Sequence, residues 1–259
     1  MIEINIWSAP TVLWCKLMNM TTAAILVIGN EVLSGKVEEE NARYMIQGLR
    51  RVGVDLKRVN IVRDDRDVIA EDIRTMSQRF DVVFTSGGVG STHDDVTMGS
   101  IAQGLDLKLV RHPELYRMLQ DHYGDRINPA VLRMAKVPEG TELLGLEELR
   151  FPLVRVRNVY VFPGVPQFLK TKFDFVLSLL TGTPLILECM HLKVGEDQIA
   201  ELLATVETEM PDVEIGSYPR FDTEEYRVKV TVESRDKKRL EEAVQRIKEG
   251  LNPDWIVEA

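Results

Sequence analysis

Strand-like and helix-like patterns alternate through the first third of the chain, and this alternation restricts the fold more than any other feature of the sequence. A continuous apolar run at 23–28 ends at Gly29, and shorter apolar runs follow at 59–62 and 81–85. Apolar residues recur at helical spacing between these runs, in 42–52 and 69–80. Strand, helix, strand, helix, strand is typical of a parallel sheet with helices on both faces. We therefore predict an α/β fold with a mostly parallel sheet.

The remaining patterns predict one main domain and a small second one. Helices are expected near 97–103, 113–123, 128–136 and 167–180, and another strand at 158–162. The Gly- and Pro-containing stretch 181–184 is typical of a linker. Beyond it, strand-like runs at 185–194, 213–218 and 226–233 and helical runs at 198–209 and 240–251 predict a small α+β domain. The expected domains are 20–181 and 185–259, preceded by an extension at 1–19.

Polar clusters follow three of the predicted strands, at 29–35, 63–65 and 86–97. Because ligands of open α/β sheets bind beyond the carboxyl ends of the strands, these clusters are expected to line one crevice. Three glycines in the last cluster, Gly87, Gly88 and Gly90, favour a loop whose backbone N–H groups approach a phosphate. The alternative is a tight turn that binds nothing.

Two adjacent carboxylates, Asp94 and Asp95, follow the glycines. A carboxylate repels a phosphate unless a cation lies between them, so the combination predicts a phosphate ligand bridged by a divalent metal. Asp64 ends an earlier strand and faces the same crevice. The alternative for Asp94 and Asp95 is capping of the next helix, and for Asp64 and Asp65 a solvated charge run.

Composition narrows the class of partner and the cellular compartment. A formal charge of −9 and a pI near 5.1 argue against a general nucleic-acid or anionic-membrane surface. The two cysteines, Cys15 and Cys189, have neither zinc nor disulfide spacing, which favours a reducing cytosol. No targeting segment is recognised in 1–19, and we expect a cytoplasmic location.

Three stretches together resemble a known family: 28–35 (Ile-Gly-Asn-Glu-Val-Leu-Ser-Gly), 86–97 (Ser-Gly-Gly-Val-Gly-Ser-Thr-His-Asp-Asp-Val-Thr) and 162–166 (Phe-Pro-Gly-Val-Pro). They are similar to the signatures of the molybdopterin-binding-like domain of MoaB, Mog, MoeA and gephyrin, of CinA competence/damage-inducible proteins and of FAD synthases. The doubled aspartate and the Pro-Gly-Val-Pro form resemble the CinA and FAD-synthase branch more. The residues from 185 are similar to the small domain that follows in CinA, but they lack the Gly-x-x-Gly loop of RNA-binding modules.

The resemblance implies a three-layer α/β/α fold, a nucleotide or pterin ligand and a homo-oligomer. For the CinA and FAD-synthase branch it implies metal-dependent hydrolysis of a nucleotide pyrophosphate such as ADP-ribose or FAD. It assigns Asp94 and Asp95 to catalysis and, with Asp64, to a Mg²⁺, Mn²⁺ or Co²⁺ ion. The predicted ligand contacts are Gly29, Glu31, Asn41, Asp64, Ser86, Gly87, Gly88, Gly90, Thr92, Thr97, Pro163 and Gly164.

Two positions depart from the family pattern. Ser91 stands where proline is usual, and Gly99 where a glutamate usually follows Thr97, which removes one carboxylate from the expected site. Three functions therefore stay open: a nucleotide pyrophosphatase, a protein that binds or adenylylates molybdopterin, and a nucleotide-binding module without catalysis.

Overall fold

The protein consists of two compact units, one up to Gly182 and one from Thr183. The computed structural model describes residues 21–92, 94–180 and 182–257. The expected N-terminal extension at 1–19 lies outside these residues. Within them, no helix is long and apolar enough to cross a membrane.

Among its described residues the first unit carries eight strands, seven α-helices and a short 3₁₀ helix, Gly124–Arg126. The strands are β1 (Thr22–Ile28), β2 (Asp55–Val62), β3 (Val82–Ser86), β4 (Leu109–Arg111), β5 (Lys136–Pro138), β6 (Glu142–Leu144), β7 (Leu153–Val156) and β8 (Val159–Phe162). The helices are α1 (Asn30–Leu33), α2 (Asn41–Arg51), α3 (Arg66–Arg79), α4 (Thr97–Gly104), α5 (Pro113–Tyr123), α6 (Pro129–Arg133) and α7 (Pro166–Leu179).

Six of these strands form the central sheet, in the order β2-β1-β3-β8-β7-β6. The pairs β1/β2, β1/β3 and β3/β8 are parallel, whereas β7 pairs antiparallel with both of its neighbours, β8 and β6. The carboxyl ends of β2, β1, β3 and β8 therefore meet at one edge. The predicted α/β fold with a mostly parallel sheet is confirmed.

Strand β1 shows why the sheet is covered on both faces. Its alternate residues Ala24, Leu26 and Ile28 pack in one core cluster with residues of α3 and α4. Ala23, Ile25 and Val27 pack in a second cluster that contains Met45 of α2 and Phe173 of α7. Because successive side chains of a strand point to opposite faces, a continuous apolar run requires helices on both sides. The sheet is the middle of three layers.

The region between α4 and β8 differs most from the sequence prediction. The expected helix at 128–136 is only the five-residue α6, because residues from Lys136 onward pair with 109–111 as a small antiparallel sheet. The strands β4 to β7 were not predicted, and each has only three or four residues. Residues expected as loop after Gly29 include the single turn α1.

The second unit has the predicted order strand, helix, strand, strand, helix. Its elements are β9 (Ile186–Leu192), α8 (Ala200–Glu209), β10 (Glu214–Pro219), β11 (Val228–Ser234) and α9 (Lys237–Gly250). The strands form an antiparallel sheet in the order β10-β11-β9. Leu192, Val230 and Ile247 are fully buried in its core. The predicted small α+β fold is confirmed.

Candidate functional site

The predicted site residues follow strands that end at the same edge of the sheet. Gly29 follows β1, Asp64 follows β2, Gly87 follows β3 and Gly164 follows β8. These four strands are neighbours and run parallel. The polar clusters that the sequence places after separate strands are thus gathered at one edge, where sheets of this class bind ligands.

Gly87 lies where three strand ends converge. Its φ is +109°, and a Cβ built on it would overlap the carbonyl oxygen of Ile28 at the end of β1. A Cβ on Gly164 would lie 3.4 Å from the Gly87 Cα. The Gly87 N–H donates to the carbonyl of Phe162 at 3.2 Å. Gly87 therefore joins the strand ends, and its amide is already used in the sheet.

The backbone N–H groups of the next two glycines, Gly88 and Gly90, are available to a ligand. Gly88 has φ +63°, and its carbonyl accepts from the Thr97 N–H at 3.1 Å. Within the described part of the chain, the N–H groups of Gly88 and Gly90 find no acceptor. The buried Thr97 hydroxyl donates to the Gly87 carbonyl at 2.9 Å, which fixes the loop against the start of α4. Gly88 and Gly90 are therefore the glycines whose amides could donate to a phosphate.

Thr92 holds Asp94 and Asp95 together. The Thr92 hydroxyl oxygen lies 2.5 Å from Asp94 Oδ1 and 2.6 Å from Asp95 Oδ2, and the Thr92 N–H donates to Asp95 Oδ2 at 2.7 Å. The Asp95 carboxylate also packs against Gly90, 2.8 Å from where a Cβ would stand. The N-cap residue of α4 is Val96, which makes no side-chain cap, and the Asp95 carboxylate accepts from the Thr92 N–H within the loop.

A hydroxyl carries one hydrogen, so Thr92 can donate to only one of the two carboxylates at a time. Two carboxylates around one hydroxyl repel each other, and a nearby cation would relieve that repulsion. Their oxygen-only donor set suits Mg²⁺ or Mn²⁺, which proteins commonly hold with one or two carboxylates plus substrate phosphates. Asp94 and Asp95 fit such an ion.

Asp64 is not part of a preformed metal cluster with that pair. The described residues contain no group of three or more His, Cys, Asp or Glu side chains that could hold a metal ion. Asp64 Oδ2 instead accepts from the Asn30 N–H at 2.8 Å, and its Oδ1 lies 3.6 Å from the Cβ position of Gly88. Asp64 thus borders the glycine loop and orders the turn after β1. His93 lies outside the described residues.

Asn30 is a neighbour that the sequence reasoning did not single out. Besides its bond to Asp64, its side-chain oxygen accepts from Arg63 Nε at 3.4 Å. The adjacent Glu31 places its carboxylate over Gly29, 2.6 Å from where a Cβ would stand. The only available signal was the position of Asn30 directly after the first strand.

Asn41 joins two of the ligand loops from the start of α2. Its Nδ2 donates to Ser86 Oγ at 3.1 Å and to the Gly164 carbonyl at 2.8 Å. Its Oδ1 is buried and has no hydrogen-bond partner within the described chain. Pro163 is half-buried beside the exposed Gly164.

The geometry can be compared with known proteins. Residues 24–182 match the family model described as a probable molybdopterin binding domain, and residues 184–259 match that of the FAD synthase middle domain. A protein of Archaeoglobus fulgidus is 36% identical over 228 residues, which cover 88% of this chain and 97% of that protein. A probable FAD synthase of Caenorhabditis elegans is 28% identical over 258 residues and 89% of this chain, and the match covers 50% of that relative's length.

A solved structure agrees with these matches. The crystal structure of the protein CinA from Thermoplasma acidophilum is similar with a TM-score of 0.56 and 27% sequence identity, over 62% of this chain and 99% of that chain. The predicted resemblance to this family is thereby confirmed. The first family model spans more than half of the residues, and the chain therefore belongs to the family of the probable molybdopterin binding domain.

Proposed function

We propose that the protein is a metal-dependent nucleotide pyrophosphatase that acts on the class of ADP-ribose or FAD. The observation that carries the proposal is the pair Asp94 and Asp95, held by Thr92 next to a glycine loop with available amides. A glycine loop alone suits any phosphate. A carboxylate pair beside it favours a ligand that arrives with a divalent cation.

The reaction is hydrolysis of one P–O bond of the pyrophosphate. A water oxygen bonds to one phosphorus, and the bond from that phosphorus to the bridging oxygen breaks. The two hydrogens of the water go to the phosphate oxygens of the products or to solvent, so ADP-ribose gives AMP and ribose 5-phosphate. The amides of Gly88 and Gly90 hold phosphate oxygens as their charge increases. Asp94 and Asp95 would hold the cation, which supplies charge neutralisation and water activation when bound.

The experiment is a panel of nucleotide pyrophosphates incubated with Mg²⁺, Mn²⁺ or Co²⁺ and with EDTA, with AMP measured by chromatography. We expect metal-dependent AMP release and a loss of roughly 100-fold or more in Asp95→Asn. The matched control is Asp236→Asn in the second unit, since Asp236 also accepts backbone N–H bonds, from Lys238 and Arg239. AMP release that is absent with every metal, or undiminished in Asp95→Asn, refutes the proposal.

A second candidate is binding or adenylylation of molybdopterin, which the family model over 24–182 favours. Copurification of a fluorescent pterin, or ATP-dependent transfer of an adenylyl group to it, would select this candidate. Nucleotide binding without turnover would instead select a non-catalytic module, which the missing carboxylate at Gly99 favours. A cytosolic location and a homo-oligomeric state stay predictions.

A further inference from the structure

One amide connects two ligand loops in the interior of the first unit. Asn41 is the first residue of α2 and is 5% exposed. Its two Nδ2 hydrogens reach Ser86 Oγ, at the end of β3, and the Gly164 carbonyl, after β8. These two loops also meet at Gly87, which packs 3.4 Å from the Cβ position of Gly164. The Asn41 amide therefore spans the two walls of the crevice.

The orientation of this amide is determined by its partners. A backbone carbonyl only accepts hydrogen bonds, so the NH₂ group and not Oδ1 must face Gly164. Oδ1 is then enclosed without a donor among the described residues. A buried acceptor without a partner costs about 1–3 kcal/mol, which offsets most of what two neutral hydrogen bonds contribute. Folding stability alone does not explain an asparagine here.

Asn158 provides the contrast. Asn158 directly precedes β8, whereas Gly164 follows the other end of that strand. The Asn158 Nδ2 also donates to two backbone carbonyls, those of Ser77 at 3.0 Å and Phe80 at 2.9 Å. Its Oδ1 accepts from the Ser77 hydroxyl at 2.6 Å. Asn158 is thus a fully satisfied asparagine whose contribution is to stability.

We infer that Asn41 is a positioning residue of the site. It acts through Ser86 and Gly164, and it fixes the distance between the loop that carries the phosphate-binding glycines and the loop at 163–164. The inference rests on the proposed function only for the choice of a nucleotide as probe.

The test compares Asn41→Leu, Asn41→Asp and the matched control Asn158→Leu in the full chain. Calorimetry measures the binding of a methylene-bridged analogue of ADP-ribose, which cannot be hydrolysed at the pyrophosphate, with Mn²⁺, and thermal unfolding measures stability. For Asn41→Leu we expect affinity to fall about 10- to 100-fold, the range typical of residues that orient a site, with a smaller fall in Tm than in Asn158→Leu, because the change also removes the unpartnered Oδ1. Asn41→Asp keeps the shape but lacks the donors and places a carboxylate against the Gly164 carbonyl, so it should lose affinity and also lower Tm. Asn158→Leu should lower Tm and leave the affinity unchanged.

Hydrogen exchange of the ligand-free protein gives a readout that needs no nucleotide. If Asn41 positions the loops, the Gly87 amide exchanges faster in Asn41→Leu and not in Asn158→Leu. Should the wild-type protein bind no ADP-ribose analogue and release no AMP from the panel of nucleotide pyrophosphates, the proposed function fails, and this exchange result alone decides the inference. Unchanged Gly87 exchange or unchanged affinity in Asn41→Leu would overturn the inference. It would also be overturned if Asn41→Leu and Asn158→Leu both lost affinity in proportion to their loss in Tm.

Discussion

Replacing Gly87 with alanine tests whether the glycine loop is fixed by the convergence of three strand ends. The φ of +109° is unfavourable for any residue with a Cβ, at a cost of about 1–3 kcal/mol. The new Cβ would also overlap the carbonyl oxygen of Ile28, and forced overpacking costs a further ~1–3 kcal/mol. We therefore expect a total loss of about 2–6 kcal/mol in the free energy of unfolding.

The matched control is Gly140→Ala, in the turn between β5 and β6. Gly140 also has a positive φ, +78°, but a Cβ there would meet no atom within 4 Å. Its loss should be limited to the backbone cost of about 1–2 kcal/mol. The difference between the two variants isolates the contact of Gly87 with the end of β1.

The assay is urea denaturation followed by far-ultraviolet circular dichroism, with nucleotide binding measured on both variants. Gly87→Ala should lose more stability than Gly140→Ala and should also lose binding, because the amides of Gly88 and Gly90 move with the loop. Equal losses of stability, or full nucleotide affinity in Gly87→Ala, would refute the reasoning.

Two further predictions concern stability. Gly99→Ala should stabilise the protein by about 0.5–1 kcal/mol, since its Cβ would meet only the Arg66 guanidinium at 3.8 Å, whereas Gly104→Ala should destabilise it, with Ala70 O 2.5 Å away. Thermal unfolding that ranks them in the opposite order would contradict this. Burial lowers the pKa of Lys172 from 10.5 to about 8, so between these values the unfolded chain binds more protons and stability rises with pH. Urea titrations between pH 8 and 10.5 should show the free energy of unfolding of the wild type rising by up to about 3 kcal/mol more than that of Lys172→Met. The same pH dependence of stability in both proteins would contradict the prediction.

The two central strands β1 and β3 are buried on both faces, and their apolar runs are visible in the sequence. The run at 23–28 is long and apolar throughout, and the glycine after it gives an end point. The strands β4 to β7 are too short to show a two-residue period, and β4 pairs with β5 across the intervening helices α5 and α6. The turn between β7 and β8 has Arg157 at φ +52°, where hairpin turns usually have glycine or asparagine. The sequence therefore does not predict this hairpin.

The aspartates of the site show where sequence reasoning reaches its limit. Asp65, taken as surface charge, caps α3 by accepting from the N–H groups of Asp67 and Val68. Asp94 and Asp95, for which capping was the alternative, accept from Thr92 instead. An aspartate near a helix start can either cap the helix or belong to the preceding loop. Which of the two it does depends on the exact first residue of the helix. Helix boundaries are the feature that a sequence predicts least well. A cluster of glycines, in contrast, predicts the position of the loop.

The most direct test of the central claim is a crystal structure with a methylene-bridged analogue of ADP-ribose and Mn²⁺. The account predicts phosphate oxygens within hydrogen-bond distance of the Gly88 and Gly90 amides, with the Mn²⁺ ion between the phosphates and the Asp94–Asp95 pair. A nucleotide bound elsewhere on the protein, or one at the glycine loop with no metal on either aspartate, would contradict it.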